Sequence, residues 1–232
     1  MNTIAIVISC EHAVDTVPKE YTALFAPFKE LLKTHRGIDF GALEIALHLK
    51  DTLPCDFIQA HTTRLLIDCN RTLNRPSCFS EVTQNLPDEE IMNIIKLYYQ
   101  PFREEVTNII QKHINQKLQV WHFSIHSFTP VMNGQIRSTD IGLLYNPQRP
   151  SEKSLCERLQ NEIHQLNPGI RVRRNYPYKG ISDGFTTFLR KKFNDAEYVG
   201  IEIESNQALT QNDQSIDTLK KLLSDSLLKL IC

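Results

Sequence analysis

The chain has 232 residues, 41% of them hydrophobic and 23% charged, with a formal net charge of -1. That balance supplies material for a sizeable core and excludes long disorder, and it denies the chain a broad electrostatic footprint for nucleic acid or an anionic membrane. No segment approaches the ~20 apolar residues that span a bilayer and no basic stretch precedes the first apolar run, so the expectation is a cytoplasmic protein whose anionic partners are met by a few local Arg or Lys side chains.

Ile4 to Ser9 is a short apolar run, which predicts a strand buried on both faces. Pro18 opens a helical stretch to about Lys33, and Phe40 to Asp51 repeats apolar residues at helical spacing until Pro54 stops it. Phe57 to Thr62 predicts the next strand, and Leu65-Leu66-Ile67 continues in apolar register toward Asn70-Arg71. Residues 72–87 form a polar connection. Asp88 to Gln116 is a long helical pattern, broken or kinked where Gln100 precedes Pro101.

Val120 to His126 predicts a central strand and Ile141 to Tyr145 another. Ser151 to Leu166 reads as a helix with Ser151 as N-cap and Glu152 in its first turn. Ile170 to Arg174 is a short strand, Asp183 to Lys192 a helix, Tyr198 to Glu204 the last strand, and Ser215 to Leu230 an amphipathic helix. Strands alternating with helices predict a three-layer α/β/α fold with a mixed central sheet. With no repeat and no clear linker, residues 1–232 are read as a single domain.

In open α/β sheets ligands bind at the carboxyl ends of strands, and His12, His126 and Glu204 all fall there. Two neutral imidazoles and one carboxylate, leaving a position for water, make a donor set for catalytic zinc. Asp39, in HRGIDFGA, is the best candidate for the carboxylate because the Gly-Ala helix start after it permits close approach. Glu11 is its competitor, although a residue beside His12 is hard to aim at the same metal. His35 and His122 are weaker candidates.

The segment TTRLLIDCNR places Arg64, Asp68, Asn70 and Arg71 around an apolar centre. Guanidinium forks match a carboxylate, so Arg64, Asn70 and Arg71 suit a small-molecule carboxylate substrate, with Asp68 orienting an arginine or closing a surface ion-pair cluster. Glu202 and Glu204 lie two apart on one strand face, an expensive burial unless a cation or hydrogen-bond donors answer them.

Taken in chain order, SCEHA-VDTVP, HRGIDFGA, TTRLLIDCNR, HSFTPVMNG, DIGLLYNP, NYPYKGISDGF and IEIESNQ resemble the N-formylglutamate amidohydrolase family over roughly residues 5–210. The resemblance implies a zinc carboxypeptidase-like fold and zinc-dependent cleavage of an N-formyl amide to formate and a free amino acid. It implies His12, Asp39 and His126 as metal ligands, Arg64, Asn70 and Arg71 as carboxylate-binding groups, and Glu204 as general base. Tyr178 or Tyr176, in the NYPYKG loop, is then placed to close over the substrate. The chain departs from the resemblance in having Cys-Glu-His where some relatives have Pro-His-Ser-Gly, which opens the choice of substrate.

Three other functions stay in view: a zinc hydrolase of another N-acyl amino acid or small peptide-like amide, a non-catalytic carboxylate-binding relative, and a cysteine hydrolase built on Cys10 and His12. The six cysteines show no CxxC pair and no regular spacing, so most are read as reduced core residues.

Overall fold

The computed structural model describes residues 4–231. Its centre is a six-stranded sheet in the order β2-β1-β3-β8-β6-β7. The strands are β1 (Ile4–Cys10), β2 (Cys55–Gln59), β3 (Gln119–Phe128), β6 (Ile141–Leu144), β7 (Val172–Arg174) and β8 (Tyr198–Asn206). β2, β1, β3 and β8 run parallel, whereas β6 runs antiparallel to β8, so the sheet is mixed.

The helices are α1 (Thr22–Phe25), α2 (Lys29–Leu32), α3 (Ala42–Thr52), α4 (Asp88–Ile94), α5 (Gln100–Asn115), α6 (Pro150–Leu166), α7 (Phe185–Lys192) and α8 (Asp213–Ile231). Strand alternation assigns each sheet face to a layer. Ile6, Ile8, Phe123, Ile125, Ile201 and Ile203 point one way and form a core with α3, α6 and α8. Val7, Val120 and Tyr198 point the other way, into a core with α5 and α7. Toward the carboxyl ends of β1, β3 and β8 this second face turns polar, with Ser9, His122, Ser124, His126, Glu202 and Glu204 all buried. A buried polar run on an otherwise apolar face needs partners, and it marks the site.

Several elements differ from their sequence pattern. The stretch after Pro18 is helical only in short pieces, α1 and α2 alternating with 3-10 turns, because Pro27 interrupts the backbone ladder. Leu65-Leu66-Ile67 is a buried turn plugging the second core, not a strand continuation. The Pro101 break is a π turn over Ile95–Tyr99, which relieves the clash of the proline ring with the preceding turn. Ser151 does not cap α6: Arg149 is the N-cap and Pro150 the first residue, a position that needs no amide donor. Glu152 is fully buried there and accepts from Asn146 N at 2.8 Å and Arg190 Nε at 2.9 Å.

A two-stranded hairpin, β4 (Val131–Met132) with β5 (Gln135–Ile136), lies outside the predicted elements. Its turn is Asn133-Gly134, both at positive φ (51° and 75°), the left-handed pair that a two-residue hairpin turn requires.

Among the described residues no helix is long and apolar enough to cross a membrane. Cys10, Cys69, Cys78 and Cys156 are buried free thiols and Cys55 is half-buried, whereas Cys232 lies outside the described residues.

Candidate functional site

Glu11 and His12 occupy the turn that ends β1, and that turn sends the two side chains apart. The Asp39 amide donates to His12 O at 3.1 Å, which draws the loop before α3 onto the end of β1. Gly41 makes the approach possible: it sits at φ 78°, and a Cβ there would stand 2.6 Å from the Thr210 side chain. His126 arrives on β3, in register with Glu204 on β8.

His12 Nδ1 lies 3.2 Å and His126 Nδ1 2.9 Å from Asp39 Oδ2. The opposite ring nitrogens are committed elsewhere. His12 Nε2 lies 2.8 Å from Asp68 Oδ1, and a carboxylate only accepts, so Nε2 carries the proton. His126 Nε2 lies 2.8 Å from Ser124 Oγ, whose single hydrogen goes to Glu11 Oε2 at 2.7 Å. Ser124 must therefore accept from His126 Nε2–H, and Glu11 Oε2 stands 3.3 Å from the same nitrogen. As neutral rings, both histidines thus turn an Nδ1 lone pair toward the Asp39 carboxylate.

Donor atoms of His12, Asp39 and His126 all lie within 4.8 Å of one another. Two lone pairs facing a carboxylate oxygen repel unless a proton or cation sits among them, so this donor set fits a metal ion. Without an ion, a proton answers that repulsion. Burial pulls the His126 pKa down, but the bonds to Asp39 and Glu11 outweigh it and hold the value well above that of a free histidine. Burial also works against the Asp39 carboxylate, yet His12, His126 and Arg64 keep it well below the usual range.

Between Asp39 and Glu11, the geometry groups Asp39 with the two histidines. Glu11 instead backs His126 from behind. It is fully buried, and although burial pushes its pKa up, hydrogen bonds from His126 and Ser9 and the nearby imidazoles lower it to about 2. Asp68 plays the matching part behind His12 and binds Arg64 Nη2 at 2.8 Å. Burial raises Asp68 as well, but Arg64 and His12 hold it far below an ordinary aspartate. Carboxylates behind metal-binding histidines fix ring orientation and tautomer.

Arg64 Nη1 also reaches Asp39 Oδ1 at 3.2 Å, so this arginine clamps two site carboxylates. Asn70 Oδ1 accepts from Phe185 N at 2.7 Å, Arg71 Nη1 donates to the Asp183 carbonyl, and Thr72 N donates to Asp183 Oδ2 at 3.1 Å. These bonds tie the Asn-Arg segment to the start of α7 beside β8. Glu204 is buried, and its Oε2 has no hydrogen-bond partner among the described residues. Burial, reinforced by Asp39 and Glu202 against the pull of His126 and Arg64, raises its pKa to about 8.

His12, Asp39, His126, Arg64, Asn70, Arg71, Tyr178 and Glu204 line one cavity of about 220 Å³. His35, Ser127, Lys179, Glu202 and Gln207 line it too. Tyr178 is 42% exposed and its hydroxyl accepts from Arg137 Nη1 at 3.3 Å, whereas Tyr176 is not part of the lining. Cys10 belongs to the opposite, apolar core, and burial among acidic neighbours pushes its thiol pKa well up, which leaves no thiolate facing His12.

Local pattern could not show the buried chain behind His126, because its members come from three strands. His122 shares the His126 face of β3. Its Nδ1 lies 2.7 Å from the Tyr198 hydroxyl and its Nε2 2.8 Å from Ser9 Oγ, which donates to Glu11 Oε1 at 2.7 Å. Burial lowers the His122 pKa from 6.5 to about 4, with Arg190 and His126 adding to the effect and Glu11 opposing it. The unfolded chain therefore takes up this proton first. The neutral ring's contribution to stability is complete above pH 6.5 and is lost as pH falls toward 4, about 3 kcal/mol over the window. Urea unfolding at pH 7 and pH 4.5 is expected to show a smaller loss of stability on acidification for His122→Gln than for the unaltered chain.

The family model for N-formylglutamate amidohydrolase matches residues 4–210. The chain belongs to that family. Among solved structures, a gene product of Agrobacterium tumefaciens is 27% identical, with a TM-score of 0.78, covering 97% of this chain and 91% of that one. The N-formylglutamate amidohydrolase of Ralstonia eutropha is 19% identical, with a TM-score of 0.73, covering 97% and 92%, and shows the same fold. No curated protein matches. Membership makes the chain a hydrolase of the N-formylglutamate amidohydrolase type, and the matched span contains every side chain of the cavity described above.

Proposed function

We propose that the protein is a zinc-dependent amidohydrolase that cleaves an N-formyl amino acid, the class to which N-formylglutamate belongs, to formate and the free amino acid. The observation that carries this reading is the convergence of two Nδ1 lone pairs and the Asp39 carboxylate in a cavity whose wall holds an unpartnered, buried Glu204 carboxyl. His12, Asp39 and His126 would hold the ion. Bound there, zinc supplies polarisation of the formyl oxygen and a water of lowered pKa.

Glu204 accepts the proton of the attacking water and returns it to the departing amine. Its carboxyl is buried and free of protein partners at Oε2, so it is open to take and return that proton, and the cation that His12, Asp39 and His126 would hold favours its ionised form. Arg71 and Asn70 bind the substrate carboxylate and so fix the distance from the formyl carbon to Glu204. Tyr178 stands at the opening and offers its hydroxyl to the substrate. A cavity of about 220 Å³ suits a single amino-acid derivative rather than a peptide. Both cores rest on one sheet, which supports a single catalytic domain, and a cytoplasmic location agrees with the free thiols.

The two arginines separate in a test. Arg71→Ala is expected to raise KM for N-formyl amino acids about tenfold or more, with a smaller change in kcat. Arg64→Ala frees Asp39 and Asp68, and is expected to weaken zinc binding about 10- to 100-fold in a chelator competition. Unchanged KM in the first variant would remove Arg71 from the substrate site.

A further inference from the structure

The cavity holds a carboxylate that the proposed reaction does not use. Glu202 is 9% exposed and lines the cavity two residues before Glu204, on the same face of β8. Thr186, in the first turn of α7, donates to its Oε1 and holds it in place. Among the described residues Glu202 enters no ion pair. Gly184 keeps the neighbouring space open: a Cβ there would stand 3.2 Å from Asn70 Oδ1 and 3.7 Å from Glu202 Oε1. Glu202 therefore shares a compartment with the Asn70-Arg71 pair.

The cations around the cavity are unequal. Arg64 is occupied by Asp39 and Asp68. Lys179 and His35 are exposed. Arg71 is half-buried, forms no ion pair among the described residues, and has donors left after its bond to the Asp183 carbonyl. It answers one carboxylate, the α-carboxylate that every N-formyl amino acid carries. A second carboxylate on the substrate side chain would meet Glu202 where water is partly excluded and like charges repel most strongly.

We propose that Glu202 selects the substrate side chain, and that the substrates taken best are N-formyl amino acids whose side chain ends in a nitrogen cation, a guanidinium or an ammonium. The inference rests on reading the cavity as an N-formyl amino acid site. It gives Glu202 a partner that neutralises it on binding, which the described residues do not supply.

Formate release by the zinc-loaded full chain from N-formylarginine and N-formylglutamate tests it. The expected kcat/KM ratio favours N-formylarginine by about tenfold or more, and Glu202→Gln, which keeps the shape and the Thr186 bond, narrows the ratio about tenfold. N-formylglutamate turned over as well or better, or an unchanged ratio in Glu202→Gln, overturns the proposal. Calorimetric binding of free arginine and free glutamate reads the same residue without turnover. Should neither substrate release formate, the proposed reaction fails, and the binding data decide alone: tighter arginine binding that Glu202→Gln weakens supports Glu202 as the selector, and equal binding overturns it.

Discussion

His126→Ala is expected to lose both bound zinc and formate release. Its Nδ1 is one of three donors within 4.8 Å of one another, and its Nε2 is the outlet through which Ser124 and Glu11 fix the ring. Removing the imidazole takes away one ligand and leaves the buried Glu11 carboxylate and Ser124 without the Nε2–H donor that faces them, so metal affinity falls by more than the loss of one donor implies. Elemental analysis after dialysis is expected to find well under one zinc per chain. Activity is expected to fall by about 10³-fold or more, since polarisation of the formyl oxygen and supply of the nucleophile disappear together. Glu11→Gln gives the graded version: the ligand stays while the carboxylate behind it loses its charge, with weaker zinc binding and a smaller loss of rate. A His126→Ala protein that keeps stoichiometric zinc would remove His126 from the ligand set.

Glu204→Gln is expected to separate chemistry from metal binding. Its carboxyl is buried and free of protein partners at Oε2, and it sits beside His126 in the sheet register without belonging to the group of converging donors. The amide keeps the shape and cannot take a proton, so kcat is expected to fall about 10²- to 10⁴-fold with zinc content retained and KM little changed. A variant with near-normal kcat would assign the proton transfer to another group. Loss of zinc along with activity would instead make Glu204 a ligand.

Much of this site was legible because strand ends are. His12, His126 and Glu204 follow apolar runs that form β1, β3 and β8, and the structure gathers all three at one edge of the sheet. Glu202 and Glu204 fall on one face, as alternation requires. The arginine segment was legible as chemistry but not as placement. Arg64 turns to Asp39 and Asp68, while Arg71 lines the cavity with no ion pair among the described residues, a division set by the buried turn at residues 65–67 rather than by spacing.

What sequence could not show is what strand order decides. Ser9, Glu11, His122, Ser124 and Tyr198 become one hydrogen-bonded chain only because β1, β3 and β8 lie side by side, and no local pattern specifies that order. Glu11 illustrates the point: in the sequence it is the competitor to Asp39 for the metal, and the turn after β1 sends it behind His126 instead. The Asn133-Gly134 hairpin was readable from its turn residues, and the failed Ser151 cap yields to Pro150, which sets the helix start one residue earlier.

The most direct test of the account is formate release from N-formyl amino acids by one preparation of the full chain, first stripped of metal and then reconstituted. The metal-stripped protein is expected to be inactive and folded, and stoichiometric zinc is expected to restore turnover. Undiminished formate release in a strong chelator, with metal removal verified by elemental analysis, would contradict the assignment of His12, Asp39 and His126 as a catalytic metal centre.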